Sequence, residues 1–176
     1  MTSLIKNAKD FDLTYSVSSL TRNDIASNVL KDDYTYFISA DSPAGQWWQI
    51  SFSRPVAISS YKIVESFDET SYLPREWFIS TSFDNSTWNL IEIDKFYSNG
   101  NLRPEYGFPF PINCKHFRIT LRQNSGNNNY LDFSFFDCFG TLGKNEARKN
   151  NCCCKGESRS NGIYFRALFN SILVSI

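Results

Sequence analysis

The sequence predicts an all-β domain, an antiparallel sandwich or barrel, on three observations. Aromatic side chains are abundant, with 16 Phe, 9 Tyr and 4 Trp in 176 residues, and such residues suit a pleated, half-buried surface. Apolar and polar residues alternate with period two in several short runs. Between the runs lie polar, irregular connections, without the strand–helix alternation of a parallel sheet.

The first clear run sets Trp48, Ile50 and Phe52 on one face and Gln49, Ser51 and Ser53 on the other. Arg54-Pro55 interrupts it. A second strand over Val56 to Val64 places Tyr61 and Ile63 together. Trp77, Ile79, Thr81 and Phe83 alternate with Phe78, Ser80 and Ser82. Asp84-Asn85-Ser86 is turn chemistry, because these short side chains bond local backbone, and Trp88 to Ile93 returns as a hairpin partner. Further on, Phe117, Ile119 and Leu121 oppose His116, Arg118 and Thr120. Leu131, Phe133 and Phe135 form a last strand that closes at Phe139-Gly140. Asn23 to Leu30 suits a helical turn or two. The segments 66–75, 94–113 and 123–129 read as long connections.

After Gly143 the composition changes, so the expected domain is 1–143 and the remainder, 144–176, is a polar, cysteine-containing tail with an apolar end from Ile163. That end suits a helix on the sandwich or on a membrane surface, or a disordered tail. Cys152-Cys153-Cys154 could carry acyl chains, a second membrane signal beside the apolar end; as zinc ligands, three consecutive residues fit a tetrahedron poorly.

Eighteen basic residues balance 18 acidic ones. A nucleic-acid partner is not expected, because phosphate binding usually draws on a basic excess. Within a few residues the N-terminus turns polar, and no run approaches the roughly 18 apolar residues of a span. These features predict a cytoplasmic protein, and the clustered cysteines do not resemble a disulfide framework. Asn85-Ser86-Thr87 matches a glycosylation sequon, which matters only in a secreted chain.

Several segments, in order, carry a resemblance. Ala26 to Thr35 looks like an opening loop, and Gly45-Gln46-Trp47-Trp48-Gln49-Ile50-Ser51-Phe52 with Arg54-Pro55-Val56 like a signature strand. Tyr61-Lys62-Ile63, Ser82-Phe83-Asp84-Asn85-Ser86-Thr87-Trp88, Phe117-Arg118-Ile119 and Phe136-Asp137-Cys138-Phe139-Gly140 follow. Together, over about 26–142, they resemble the coagulation factor V/VIII type C, or discoidin, domain. The wording around Cys114 to Ile119 and Phe139 to Leu142 is most similar to its intracellular branch, which accompanies BTB-type adaptors and is common in protists. The resemblance implies a galactose-binding-like jelly-roll β-sandwich whose loops at one end hold a glycan, a protein or anionic phospholipid. Extracellular members tie their ends with a disulfide, but no cysteine precedes Cys114 here, which favours a reducing compartment. Lys31-Asp32-Asp33 also lacks the glycine usual in the opening loop.

The loop residues Tyr34, Tyr36, Tyr72, Leu73, Arg75 and Arg122 are the candidate ligand contacts, with Phe96, Tyr97, Tyr106 and Arg103 beside them. Exposed aromatics supply rigid contact area, and arginine forks pair with phosphate or carboxylate. The plain alternatives are aromatics folded back over the core and arginines in surface ion pairs. Some carbohydrate-binding relatives hold a structural calcium ion between opening loop and last strand. The resemblance therefore nominates Asp32, Asp33, Thr35 and Asp137 as its ligands, since calcium takes six to eight oxygens; turn-forming or solvated aspartates are the alternative. The tryptophans read as core, and only Trp47 shares the Gln49 face. His116, the one histidine, has no triad partners, and nearby Cys114 is expected on the opposite face of its strand. The expectation is a non-catalytic module that binds a protein partner or glycan, or else a peripheral membrane module. The sequence leaves the oligomeric state open.

Overall fold

In the computed structural model the described residues are 2–7, 12–20, 26–33, 35–40, 45–64, 74–95, 105–124 and 130–143, with backbone alone at 92–95. Contacts group Met1–Asn145 as one unit and Glu146–Ile176 as another; the expected tail, with its cysteine triplet, lies outside the described residues. The strands are β1 (Thr2–Ser3), β2 (Leu13–Val17), β3 (Phe37–Ile38), β4 (Trp47–Val64), β5 (Pro74–Ser82), β6 (Asn89–Lys95), β7 (Glu105–Asn124), β8 (Asp132–Phe133) and β9 (Phe135–Leu142). A 3-10 turn spans Asn28–Leu30, inside the stretch expected to turn helically. Among the described residues no helix is long and apolar enough to cross a membrane.

The fold is the expected jelly-roll sandwich. Hydrogen-bonded order runs β1-β9-β4-β7-β5-β6, with β2 also on β4 and a separate β3–β8 pair. All these pairings are antiparallel. The pair β4–β7 shifts register between Ser51 and Val56, where Arg54-Pro55 interrupts the alternation. The first half of β4 pairs with β2 and the second with β9. One long strand therefore serves two layers, and the core fills between them.

Trp48, Ile50, Ile58, Tyr61, Ile79, Phe117 and Ile119 have no solvent exposure. Trp48 packs on Phe136 at 4.9 Å and edge-on to Phe133 at 5.7 Å. The buried Trp77 indole donates to the Tyr61 hydroxyl at 2.9 Å, satisfying two polar groups that would otherwise be costly to bury.

The structure corrects several expectations. The last strand is divided: Phe133 lies in β8 against Phe37, whereas Phe135 begins β9 against Val64. Ser134 makes the break, its N–H donating to the Val64 carbonyl at 2.8 Å. Glu105 to Asn113 is strand, not connection, because it completes the ladder on Ala57 to Lys62. Phe83 leaves the buried face and is 53% exposed, since the turn at Asp84 begins there. The short strands β1, β2 and β3 have no counterpart in the expected set; they are short or carry too little alternation to read.

Candidate functional site

Strand ends gather at one end of the sandwich. Pro74 pairs with Asn124, Glu76 with Lys95, Lys62 with Glu105 and Val64 with Phe135. These residues bracket 65–73, 96–104 and 125–129. Tyr34, Tyr72 and Leu73, with Phe96, Tyr97 and Arg103, lie outside the described residues. Arg75, exposed at the start of β5, makes no hydrogen bond or ion pair with another described residue. Arg122 is engaged differently: its Nη1 sits 3.2 Å from Glu76 Oε2 and its guanidinium 5.8 Å from the Phe78 ring. Tyr106 folds back, stacking on Tyr61 at 5.1 Å and meeting Trp77 edge-on at 5.3 Å.

The opening segment is held from below. Trp48 Nε1 donates to the Ala26 carbonyl at 2.9 Å, and Val29 is fully buried. Asn28 Nδ2 donates to the carbonyl of half-buried Tyr36 at 3.0 Å. Thr35 closes the loop on Asp33 Oδ1 through its N–H at 3.1 Å and its hydroxyl at 2.5 Å. These bonds hold the Asp33 carboxyl below its ordinary value.

Asp32 and Asp137 line one open cleft of about 250 Å³, together with Ser3, Lys6, Lys62 and Phe139. Asp137 Oδ1 accepts from Ser3 Oγ and from the Cys138 N–H, both at 2.8 Å. Burial raises its carboxyl above the ordinary value against the pull of those bonds and both lysines. This donor set fits calcium poorly. Two ammonium groups share the cleft, Asp33 and Thr35 are spent on each other, and no group of three or more His, Cys, Asp or Glu side chains that could hold a metal forms among the described residues.

A second cluster, not foreseen, lies on the solvent face of the sheet. The Arg118 guanidinium sits between two indoles, 4.2 Å from the Trp47 ring and 3.7 Å from Trp88. Its Nε and Nη2 donate to Gln49 Oε1 at 3.2 and 2.8 Å. Gln49 Nε2 in turn reaches Ser51 Oγ at 2.9 Å and Asn85 Oδ1 at 3.0 Å. Trp88 is thus not core; it is half-buried over an arginine. The signal was present in the alternation, which puts Trp47, Gln49 and Arg118 on polar faces of neighbouring strands.

His116 belongs to this face, its Nδ1 2.8 Å from Ser51 Oγ. Burial, then Lys115, lowers its pKa, against the pull of Asp84. Cys114 points into the core, where burial pushes its thiol up to about 12. The two side chains do face opposite ways, for a reason other than simple adjacency. Residues two apart share a face in a regular strand, and here the register shift between Ser51 and Val56 turns the chain between them.

The adjoining turn carries a pH dependence. Asp84 Oδ1 accepts from the N–H groups of Ser86 at 2.9 Å and Thr87 at 2.8 Å and from Ser82 Oγ at 3.0 Å. These donors hold its carboxyl far below the ordinary 3.8. A depressed folded-state pKa gives stability that is present above the unfolded value and lost as pH falls toward the folded one. Asp84→Asn is therefore expected to lower the melting temperature at pH 7, with the two proteins converging below about pH 3. Thermal melts across pH check this.

The F5/8 type C domain model matches residues 14–134. The chain belongs to that family. The intracellular-branch detail of the sequence resemblance goes further than this match. No curated protein matches by sequence. Among solved structures, the F5/8 type C domain here is similar to the family 32 carbohydrate-binding module of Clostridium perfringens NanJ in complex with galactose. That match has 19% identity and a TM-score of 0.65 over 78% of this chain and 97% of the other. It is similar also to a fifth family 32 module of C. perfringens GH89, in complex with GalNAc-β-1,3-galactose, at 9% identity and TM-score 0.66 over 79% and 100%. A third is the family 32 module of AlyQ in complex with 4,5-unsaturated mannuronic acid, at 17% identity and TM-score 0.61 over 73% and 96%. At these identities the likeness establishes the shared fold.

Proposed function

We propose that this F5/8 type C domain is a non-catalytic glycan-recognition module that binds a galactose-type sugar at the end bracketed by Pro74, Asn124, Glu105 and Tyr130. The observation that carries the reading is the family match across most of the sandwich, joined to structural relatives solved with galactose and GalNAc-galactose. Arg75 supports it as an exposed guanidinium at that end, available for hydroxyl groups. The hydrogen bonds that hold the described part of the opening segment support it too, because groups already held lose less entropy on binding. A glycan array with the intact protein tests this. Galactose- or GalNAc-terminated glycans are expected to bind above other sugars; a blank array alongside capture of a protein partner would replace the reading by protein recognition.

A cytoplasmic setting belongs to the same proposal, with the free, buried thiols of Cys114 and Cys138 as support; cell fractionation decides it. One observation favours the membrane alternative. Phe110 is 78% exposed, between Pro109 and Pro111, where β7 bulges away from β4 between Gly107 and Ile112. Co-sedimentation with anionic vesicles that is lost in Phe110→Ser would support membrane docking, and no sedimentation would remove it.

A further inference from the structure

On the sheet face, pairing sets Trp47, Gln49 and Ser51 of β4 beside Thr120, Arg118 and His116 of β7. Ser80 and Ser82 of β5 flank Arg118 and His116 on the other side. One edge of the Arg118 fork is fixed by Gln49, while Nη1 makes no hydrogen bond to a described residue. Asn85 accepts from Gln49 through Oδ1, and its Nδ2 likewise has no described partner. Both of these open groups are donors. Lys115 adds positive charge, and Asp84, the acid that bears on His116, is tied up by its own turn.

We propose that this face is a second binding surface, distinct from the loop end, which takes a carboxylate-bearing sugar of the uronic-acid type. Arg118 Nη1 and Asn85 Nδ2 donate to the carboxylate, and the half-exposed indoles of Trp47 and Trp88 border the sugar with their edges. A carboxylate fits better than a neutral hydroxyl, because a guanidinium edge and a side-chain amide are both donors and charge-assisted hydrogen bonds are the strong ones. The cation is also partly withdrawn from water, since two indole rings lie against it. Burial lowers its pKa accordingly, and pairing with an anion strengthens in such surroundings. The stack and Gln49 fix the fork before any ligand arrives, so little side-chain entropy remains to be lost. Arg118 pairs opposite Ser80 whereas the loop end begins at Pro74, which separates the two surfaces by about 20 Å along β5.

The test uses the full chain and two disaccharides, one terminated by glucuronic acid and its counterpart terminated by glucose, followed by tryptophan fluorescence and calorimetry. Saturable binding of the acidic form is expected, weakening as salt rises. Arg118→Lys keeps the charge but loses the planar fork, and is expected to weaken binding about tenfold or more. Asn85→Gly removes one donor and several-fold of the affinity. It also preserves the turn, because Asn85 has φ 61°, a conformation that glycine adopts freely. Arg75→Ala is expected to leave acidic-sugar binding intact, and loss of galactose binding in that variant reports separately on the loop end. Equal binding of the acidic and neutral disaccharides, no binding of either, or an acidic affinity untouched by Asn85→Gly would each overturn the proposal, even if Arg118→Lys fails to fold.

Discussion

Gly140→Ala is expected to leave little folded protein at physiological temperature. Gly140 lies in β9 between Thr2 of β1 and Ile58 of β4, at the register shift between Ile58 and Ser60. A Cβ there would stand 1.9 Å from the Ala57 carbonyl oxygen, 2.9 Å from its carbon and 3.1 Å from Ile58 Cα. All three are backbone atoms of the strand that joins the two layers, so no side-chain rotation relieves the clash. The β4–β9 ladder must open, at a cost of about 3 kcal/mol or more. Against a total stability of roughly 5–15 kcal/mol, that is a large fraction. Circular dichroism and a denaturant titration measure it; a melting temperature close to that of the unaltered protein would contradict this geometry.

Trp48→Ala is expected to cost about 3–5 kcal/mol, the range for emptying a fully buried aromatic site. The indole touches Phe133 of β8 and Phe136 of β9, so its loss opens the space between the layers. Trp48→Phe separates a second contribution. It preserves most of the packing but removes the donor to the Ala26 carbonyl, leaving a buried acceptor unpaired at about 1–3 kcal/mol. Because Ala26 starts the opening segment, the Phe variant should also show faster amide exchange at Val29 and Lys31 than at Ile119 in the sheet. Uniform exchange changes across both regions would mean that the indole does not anchor that segment.

The alternating strands were legible because burial on one face forces period two: Trp48, Ile50 and Phe52, like Phe117, Ile119 and Leu121, all turned inward. Alternation cannot report a bulge, since one extra residue reverses the faces. Ile58 and Tyr61 both point inward only because the ladder shifts between them. Glu105 to Asn113 escaped notice for a related reason: Phe108-Pro109-Phe110-Pro111 has the composition of a connection, and only long-range pairing with β4 makes it strand. The site was less legible than the fold. Arg122 looks the same in sequence as Arg75, yet Glu76 engages one and not the other. Asp32 and Asp137 do share a cleft, but Lys6 from the N-terminal segment shares it too, and nothing in local spacing announces that. The Arg118 stack needs three separate segments to coincide, so its parts were visible and its assembly was not.

Calorimetric titration of galactose and GalNAc into the intact protein and into Arg75→Ala tests glycan recognition at the loop end. Binding by the unaltered protein and a loss of about tenfold or more in the variant, with an unchanged melting temperature, is the expected result, as for removal of one charged hydrogen-bonding group. Neither sugar binding, or both binding equally well to Arg75→Ala, would contradict it.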